Sequence, residues 1–198
     1  MTPALLTHVA VLVPSVEKAA RKLENLGVET QPIDEFPSDG TRECYIGSPR
    51  QSARLLLLEA LSQGPYRRAL QKRGPGLHHL GVQVANLEAY AEQLGQAGWL
   101  LHTRSLRSIR ETQTAFFARP GTPFLLEAWE KAGKPSPASI EELRFPTLDL
   151  KFKNRVDSLG ITNTRVTWAP SSDPAAISLK IIGPELSCEL EIHELTQA

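Results

Sequence analysis

Apolar and polar positions fall into a pattern that this chain uses twice. In Leu6-Thr7-His8-Val9-Ala10-Val11-Leu12-Val13 the valines alternate with His8, Ala10 and Leu12, the period of a strand buried on both faces. Gly76-Leu77-His78-His79-Leu80-Gly81-Val82-Gln83-Val84 repeats it, and His8 and His79 each stand five residues before the strand's end. Two-residue turns, Pro14-Ser15 and Ala85-Asn86, lead into helices predicted over 16–26 and 87–97. Ser15 is the expected N-cap of the first, and Val16, Ala19, Leu23 and Leu26 form its buried stripe. Both helices end at a glycine, Gly27 and Gly98.

Further strands are expected at 28–33, 42–46 and 53–61, separated by Pro37-Ser38-Asp39-Gly40 and Gly47-Ser48-Pro49. A short helical connection at 66–72 and Gly74-Pro75-Gly76 follow. In the second half, strands are expected at 77–84, 99–103, 112–118 and 123–129. Each half therefore reads βαβββ, and the fold class is α+β, with tandem modules forming a curved mixed sheet. Equivalent strands of a duplicated unit meet across a pseudo-twofold axis, which turns His8 and His79 toward one cavity.

Lys131-Ala132-Gly133-Lys134-Pro135-Ser136-Pro137 reads as a linker by composition. Beyond it lies a third, degenerate copy. Phe145-Pro146-Thr147-Leu148 matches Val84-Ala85-Asn86-Leu87, a helix carries Leu148, Phe152, Val156 and Leu159 on one face, and Gly160 ends it. Strands are expected at 165–169, 176–182 and 187–194. Ile140 stands where the other copies carry histidine. The expected organisation is paired modules over 1–131, as 1–64 and 75–131, followed by the degenerate module over 138–198. No fourth copy covers Ile177, Leu179, Ile181, Leu190 and Ile192. Either the third module packs back on the first two, or it pairs with another subunit. The proline-rich linker and the frequency of isologous dimers favour a homodimer.

Lysine plus arginine equals aspartate plus glutamate, 22 each, so no net field attracts nucleic acid or an acidic membrane. No apolar run approaches the roughly 20 residues of a membrane span. Cys44 and Cys188 match no ligand spacing and read as reduced thiols, and without a basic leader the expected location is cytoplasmic.

His8-Val9-Ala10-Val11, the loop from Glu35 to Arg42, Gly76-Leu77-His78-His79 and Phe124-Leu125-Leu126-Glu127, in this order and spacing, resemble the glyoxalase, bleomycin-resistance and dioxygenase (vicinal oxygen chelate) superfamily, and most closely its methylmalonyl-CoA epimerases. The resemblance covers about two-thirds of the chain. It implies a glyoxalase-like cup around a divalent metal (zinc, iron, cobalt, nickel or manganese) with His8, His79 and Glu127 as ligands and Glu127 also as a catalytic group. The fourth ligand position falls on Leu56, while Glu59, aligned with Glu130, is out of register for ligation. Ser38 is aligned with an epimerase glutamate, leaving Glu35 and Glu43 as nearby carboxylates.

The implied function is a metal-dependent isomerase, epimerase or lyase acting on a small oxygenated or thioester substrate. Two alternatives stand beside it: Fe(II) dioxygenase chemistry on a two-histidine, one-carboxylate set, and a metal-free binding protein of the bleomycin-resistance type. His78 alternates away from His79 and is expected to be structural or to support it. His102 and His193 read as surface residues, with His102 at reach of the cup mouth. Arg67-Arg68 and Lys72-Arg73 offer charge for a coenzyme A phosphate or simply a solvated helix face. Arg104, Arg107 and Arg110 offer either salt bridges or an anion site, and Trp129 shares the strand face of Glu127.

Overall fold

The computed structural model of the protein describes residues 2–103, 105–131, 136–146, 149–171, 173, 176–182 and 187–197, without the side chain of Arg107. Arg104, that side chain, Pro135 of the linker and Leu148 lie outside the described residues.

The first module runs β1 (Ala4–Leu12), α1 (Val16–Asn25), β2 (Asp34–Phe36), β3 (Thr41–Ile46) and β4 (Arg54–Ala60). After α2 (Pro65–Arg73), the second runs β5 (Gly76–Val84), α3 (Leu87–Gln96), β6 (Leu100–Leu101), α4 (Ser105–Thr112), β7 (Thr114–Ala118) and β8 (Leu125–Glu130). Their strands form one sheet in the order β2-β3-β4-β1-β5-β8-β7-β6, symmetric about the antiparallel β1/β5 pair. In each module the first strand pairs parallel with the fourth.

Local chemistry repeats with the strands. The side chains of Ser15 and Asn86 cap α1 and α3 by accepting from the backbone N–H groups of Lys18 and Ala89. Glu59 and Glu130, the pair out of register for ligation, perform matching tasks: Glu59 Oε2 accepts from Val16 N at 2.9 Å and Glu130 Oε2 from Leu87 N at 2.8 Å. Each carboxylate satisfies a free donor at the positive end of its own module's helix.

Three predicted strands are corrected, one of them in part to a helix, and one further helix is added. The strand expected at 28–33 is a single bridge, Thr30 to Ile46, and regular pairing begins only at Asp34. Pro32 has no N–H to give a ladder. The strand expected at 99–103 shortens to β6, and Ser105–Thr112 is helical where no helix was predicted. Its sequence carries no full apolar stripe, since Leu106 is 66% exposed. The last strand ends at Glu191, and Ile192–Thr196 forms α6, which buries Ile192 and Leu195.

The third module comprises β9 (Ile140–Pro146), α5 (Leu150–Asp157), β10 (Arg165–Ala169), β11 (Ser178–Ile182), β12 (Ser187–Glu191) and α6. It keeps the βαβββ order but not the wiring. Its sheet runs β10-β9-β11-β12, so the first strand pairs with the second and third rather than with the fourth.

Pairing of this module between subunits is also corrected. Ile177, Leu179, Ile181, Leu190 and Ile192 are buried in the same continuous core as Val11, Val82 and Tyr90 of the first two modules. Phe145 stacks on Phe124 at 5.7 Å, Tyr90 Oη donates to Leu159 O at 2.8 Å, and Asn163 brackets the Leu6 backbone, accepting from its N–H and donating to its carbonyl. Backbone bonds from Ser139 and Ile140 to Ser52 and Ala53 tie the modules together after the linker. The apolar face that required a partner has one within the chain.

Candidate metal centre

The concave face of the eight-stranded sheet carries the site. His8 faces Gly81 across β1/β5, and Gly81 faces Glu127 across β5/β8, so the register sets both histidines and the glutamate around one point. His8 Nε2 lies 2.9 Å from His79 Nε2 and 3.4 Å from Glu127 Oε2, and His79 Nε2 lies 3.5 Å from the same oxygen. Both imidazoles are buried, while Glu127 is 20% exposed.

Each histidine is held by the residue before it. Relative to its partner strand, β1 has one extra residue at Thr7 and β5 one at His78, a pair of repeat-equivalent bulges. Thr7 Oγ1 donates to Gly81 O at 2.9 Å, which leaves its lone pair, 3.3 Å from His8 Nδ1, to accept a proton from that ring. His78 Nδ1 lies 2.8 Å from His79 Nδ1. Burial, with the charge of Arg73, lowers the pKa of His78 to about 4 and keeps it neutral, free to accept there. These contacts give each inner histidine a partner for its outer nitrogen, which leaves Nε2 available to a metal when the hydrogen is on Nδ1.

The two Nε2 atoms face each other at hydrogen-bond distance beside a carboxylate oxygen, a cluster of donors that a cation would draw together in place of the Nε2–H···Nε2 bond. The three donor atoms fit a circle of about 1.9 Å radius, so one ion is able to reach all of them at bond lengths near 2 Å. The residues present therefore fit a divalent metal, with His8, His79 and Glu127 to hold it. His79 is held well below its ordinary pKa by burial and then by His8 and His78, which favours the unprotonated ring that metals bind.

The bulge explains why the alternation rule misplaced His78, whose ring contacts His79 instead of turning away. Trp129 stacks on His8 at 5.7 Å with a 21° interplanar angle, and so supports the ligand ring. Leu56 faces Ala10 as Glu127 faces Gly81, the equivalent place in the repeat, and packs with Ala10, Leu12, Leu58, Tyr45 and Tyr66. The first module's half of the cup is filled with hydrocarbon where the second offers a carboxylate.

Beside the centre opens a cavity of about 430 Å³ between α2 and β7, walled by Tyr66, Arg68, Lys72, His79, His102 and Phe116. His102 thus lines the cup rather than the outer surface. Arg67 is turned away and donates to Ala60 O at 2.6 Å. Arg110 is exposed, and His193 lines a different cavity.

Glu43 is the residue that sequence reasoning left unplaced. It shares the face of Tyr45, Leu56 and Leu58 on the concave side, where burial raises its carboxyl pKa. Thr41 Oγ1, 2.8 Å away, opposes that shift by donating to it, and the charges of Asp39, His8 and Glu127 also reach it. Glu35 instead pairs with Arg42 on the exposed edge. Cys44 is buried, with its thiol pushed up to about 11, and takes no part in the centre.

The doubled module, the cup and the convergent triad define a class, and sequence comparison agrees. The family model for the glyoxalase/bleomycin resistance protein/dioxygenase superfamily matches residues 7–117, and the chain belongs to that superfamily. An ethylmalonyl-CoA/methylmalonyl-CoA epimerase from Cereibacter sphaeroides is 31% identical over 96 residues, 47% of this chain and 70% of that protein. Among solved structures, methylmalonyl-CoA epimerase from Mycobacterium tuberculosis is 26% identical, with a TM-score of 0.51 over 65% of this chain and 88% of its own. A hypothetical protein from Bacillus halodurans, 24% identical with a TM-score of 0.54 over 67% and 98%, shares the fold.

Proposed function

We propose that this protein is a metal-dependent epimerase or isomerase acting on a small acyl thioester, with its first two modules as the catalytic unit and the third as an accessory. The observation that carries the reading is the convergence of His8, His79 and Glu127, with the outer nitrogen of each histidine held by a neighbouring side chain. When bound, a divalent ion there supplies Lewis acidity to the oxygens of an enolate-like state. Moving a proton at the carbon next to a thioester needs an acid and a base on opposite faces. Glu127 and Glu43 are carboxylates on opposite arms of the cup, and burial raises the pKa of Glu43, which favours proton exchange there over a permanently charged carboxylate. Arg68 and Lys72, on the cavity wall, supply positive charge for a substrate phosphate. The epimerase relatives support the thioester class.

No helix among the described residues is long and apolar enough to cross a membrane, and we place the enzyme in the cytoplasm. The test combines metal analysis of protein purified without chelator with solvent deuterium exchange at C2 of methylmalonyl-CoA and ethylmalonyl-CoA. Metal-dependent exchange is expected. Oxygen consumption with ferrous iron, in the absence of exchange, would favour dioxygenase chemistry. A metal-free protein that exchanges neither thioester would favour a binding role.

A further inference from the structure

A substrate held at the triad has to meet Glu43 as well, because a proton taken from one face of a carbon and returned to the other needs both groups at the same atom. The structure keeps the two apart. His79 lines the cavity of about 430 Å³ beside α2, whereas Glu43 lines a different one, of about 190 Å³, with Tyr45 and Arg54. Between them lies the apolar cluster of Ala10, Leu12, Leu56 and Leu58. Tyr66 and Ala69 of α2 wall the first cavity, Tyr45 walls the second, and all three pack on that cluster. Seated in this way, α2 divides the cup.

The helix holds that seat weakly. None of its nine residues is fully buried, its N-cap Gly64 has no side chain for the free N–H groups of the first turn, and a helix this short is marginal alone. It carries four cations and no acid, with Arg68 and Lys72 four residues apart as a repelling pair. Two side-chain latches hold it in place: Arg67 donates to Ala60 O at 2.6 Å and Arg73 to Pro123 O at 2.7 Å. At its C-terminal end Gly74 and Gly76 have φ of +77° and +145°, and no atom stands within 4 Å of a Cβ built on either. That connection turns without meeting a neighbour. An element with partly buried contacts and few bonds to the rest opens well before the whole chain unfolds.

We propose that α2 is a lid, hinged at Gly64 and at Gly74-Pro75-Gly76, which carries Tyr66 out of the cup so that one substrate spans both cavities. Once it lifts, Leu56 and Leu58 lose the cover of Tyr66 and Leu70 and form the apolar wall for an acyl group between Glu43 and the triad. Lids of this kind admit substrate and then shut water out. The need for a joined cup rests on the epimerase reading, whereas the opening of α2 rests on its own packing and is measured without substrate.

The test uses the full chain with Leu58→Cys and Cys188→Ser, alkylated with iodoacetamide and mapped by peptide. Leu58 is 1% exposed in the cluster that α2 covers, and Cys44, also 1% exposed but in the main core, reports global unfolding in the same molecule. The introduced thiol is expected to react faster than Cys44 by about tenfold or more. Arg67→Met, which removes one latch, is expected to speed it a further threefold to tenfold or so and to leave Cys44 unchanged. Hydrogen exchange on the unaltered protein guards against loosening by the substitution at Leu58: the amides of residues 68–73 are expected to exchange about tenfold or more faster than those in the middle of α1 and α3. An introduced thiol no faster than Cys44, or α2 amides as slow as those of α1, overturns the lid. Opening without deuterium exchange at C2 of methylmalonyl-CoA supports the lid and removes the epimerase reading; exchange with a thiol as slow as Cys44 does the reverse.

Discussion

The ring of His8 fills the space that a side chain at residue 81 would occupy: a Cβ built on Gly81 falls 2.2 Å from His8 Cε1. The two residues face each other across β1 and β5, the seam between the repeated modules. Gly81→Ala should therefore displace the His8 ring or push the strands apart, at about 1–3 kcal/mol from overpacking. We expect a lower urea midpoint together with weakened metal binding. A variant with unchanged stability and affinity would show that His8 points elsewhere.

His8→Ala and His79→Ala each remove one of three protein donors, and Glu127→Gln replaces an anionic donor by a neutral one. Zinc affinity measured by competition with a chromophoric chelator should fall by about a hundredfold or more in either histidine variant. Thr7→Val, which removes only the hydroxyl acceptor for His8 Nδ1, should lower affinity by about tenfold while leaving the fold intact. Equal affinity in Thr7→Val and the parent would mean that the tautomer is set some other way.

Leu56 stands where a fourth protein ligand belongs by the symmetry of the sheet. Leu56→Glu should tighten zinc binding, with some loss of folding stability from placing a carboxylate among Ala10, Leu12 and Leu58. Chemical denaturation with and without zinc separates the two effects. Unchanged affinity in the folded variant would place residue 56 outside the reach of the ion.

In the third module Glu142 is held below its ordinary pKa, first by the hydrogen bond from Thr167 Oγ1 at 2.6 Å, with Arg144 and Arg165 adding to the effect. A depressed carboxylate stabilises the fold above its unfolded pKa, and that contribution is lost as pH falls through the folded value. Glu142→Gln should therefore be less stable than the parent at pH 7, and the gap in urea denaturation should close in acid below the usual carboxylate range. A gap that stays constant from pH 7 to pH 2 would show that the charge contributes nothing.

Ending the chain at Glu130 strips Phe124 of its stacking partner Phe145 and Tyr90 Oη of its acceptor at Leu159. Such a chain should aggregate or melt well below the full protein, because the core it shares with Leu179 and Ile181 becomes solvent-exposed. A soluble truncated chain with an unchanged melting temperature would mean that the third module contributes little to the first two.

The sequence by itself determined the doubled βαβββ pattern, the helix caps at Ser15 and Asn86, the glycines after each helix and the equivalence of His8 with His79, because strand and helix periods and cap chemistry are local. Identity at a repeat position was enough to set His8 against His79, since a sheet register copied twice copies its geometry, whereas Glu127 came from the family resemblance, its repeat position holding Leu56. Tertiary structure alone decided the rest. Strict alternation turned His78 away from His79, and only a bulge, an event of pairing between β1 and β5, brought their Nδ1 atoms to 2.8 Å. Glu43 gained its place on the concave face from the pairing of β3 with β4, which no spacing within its own loop encodes. The third module was legible as strands and a helix, yet its different strand order and its return onto the paired modules depend on contacts such as Phe145 on Phe124 and Asn163 on Leu6, made between residues far apart in the chain. A periodic pattern states which face of an element must be buried; which surface buries it is settled only when all the faces compete in three dimensions.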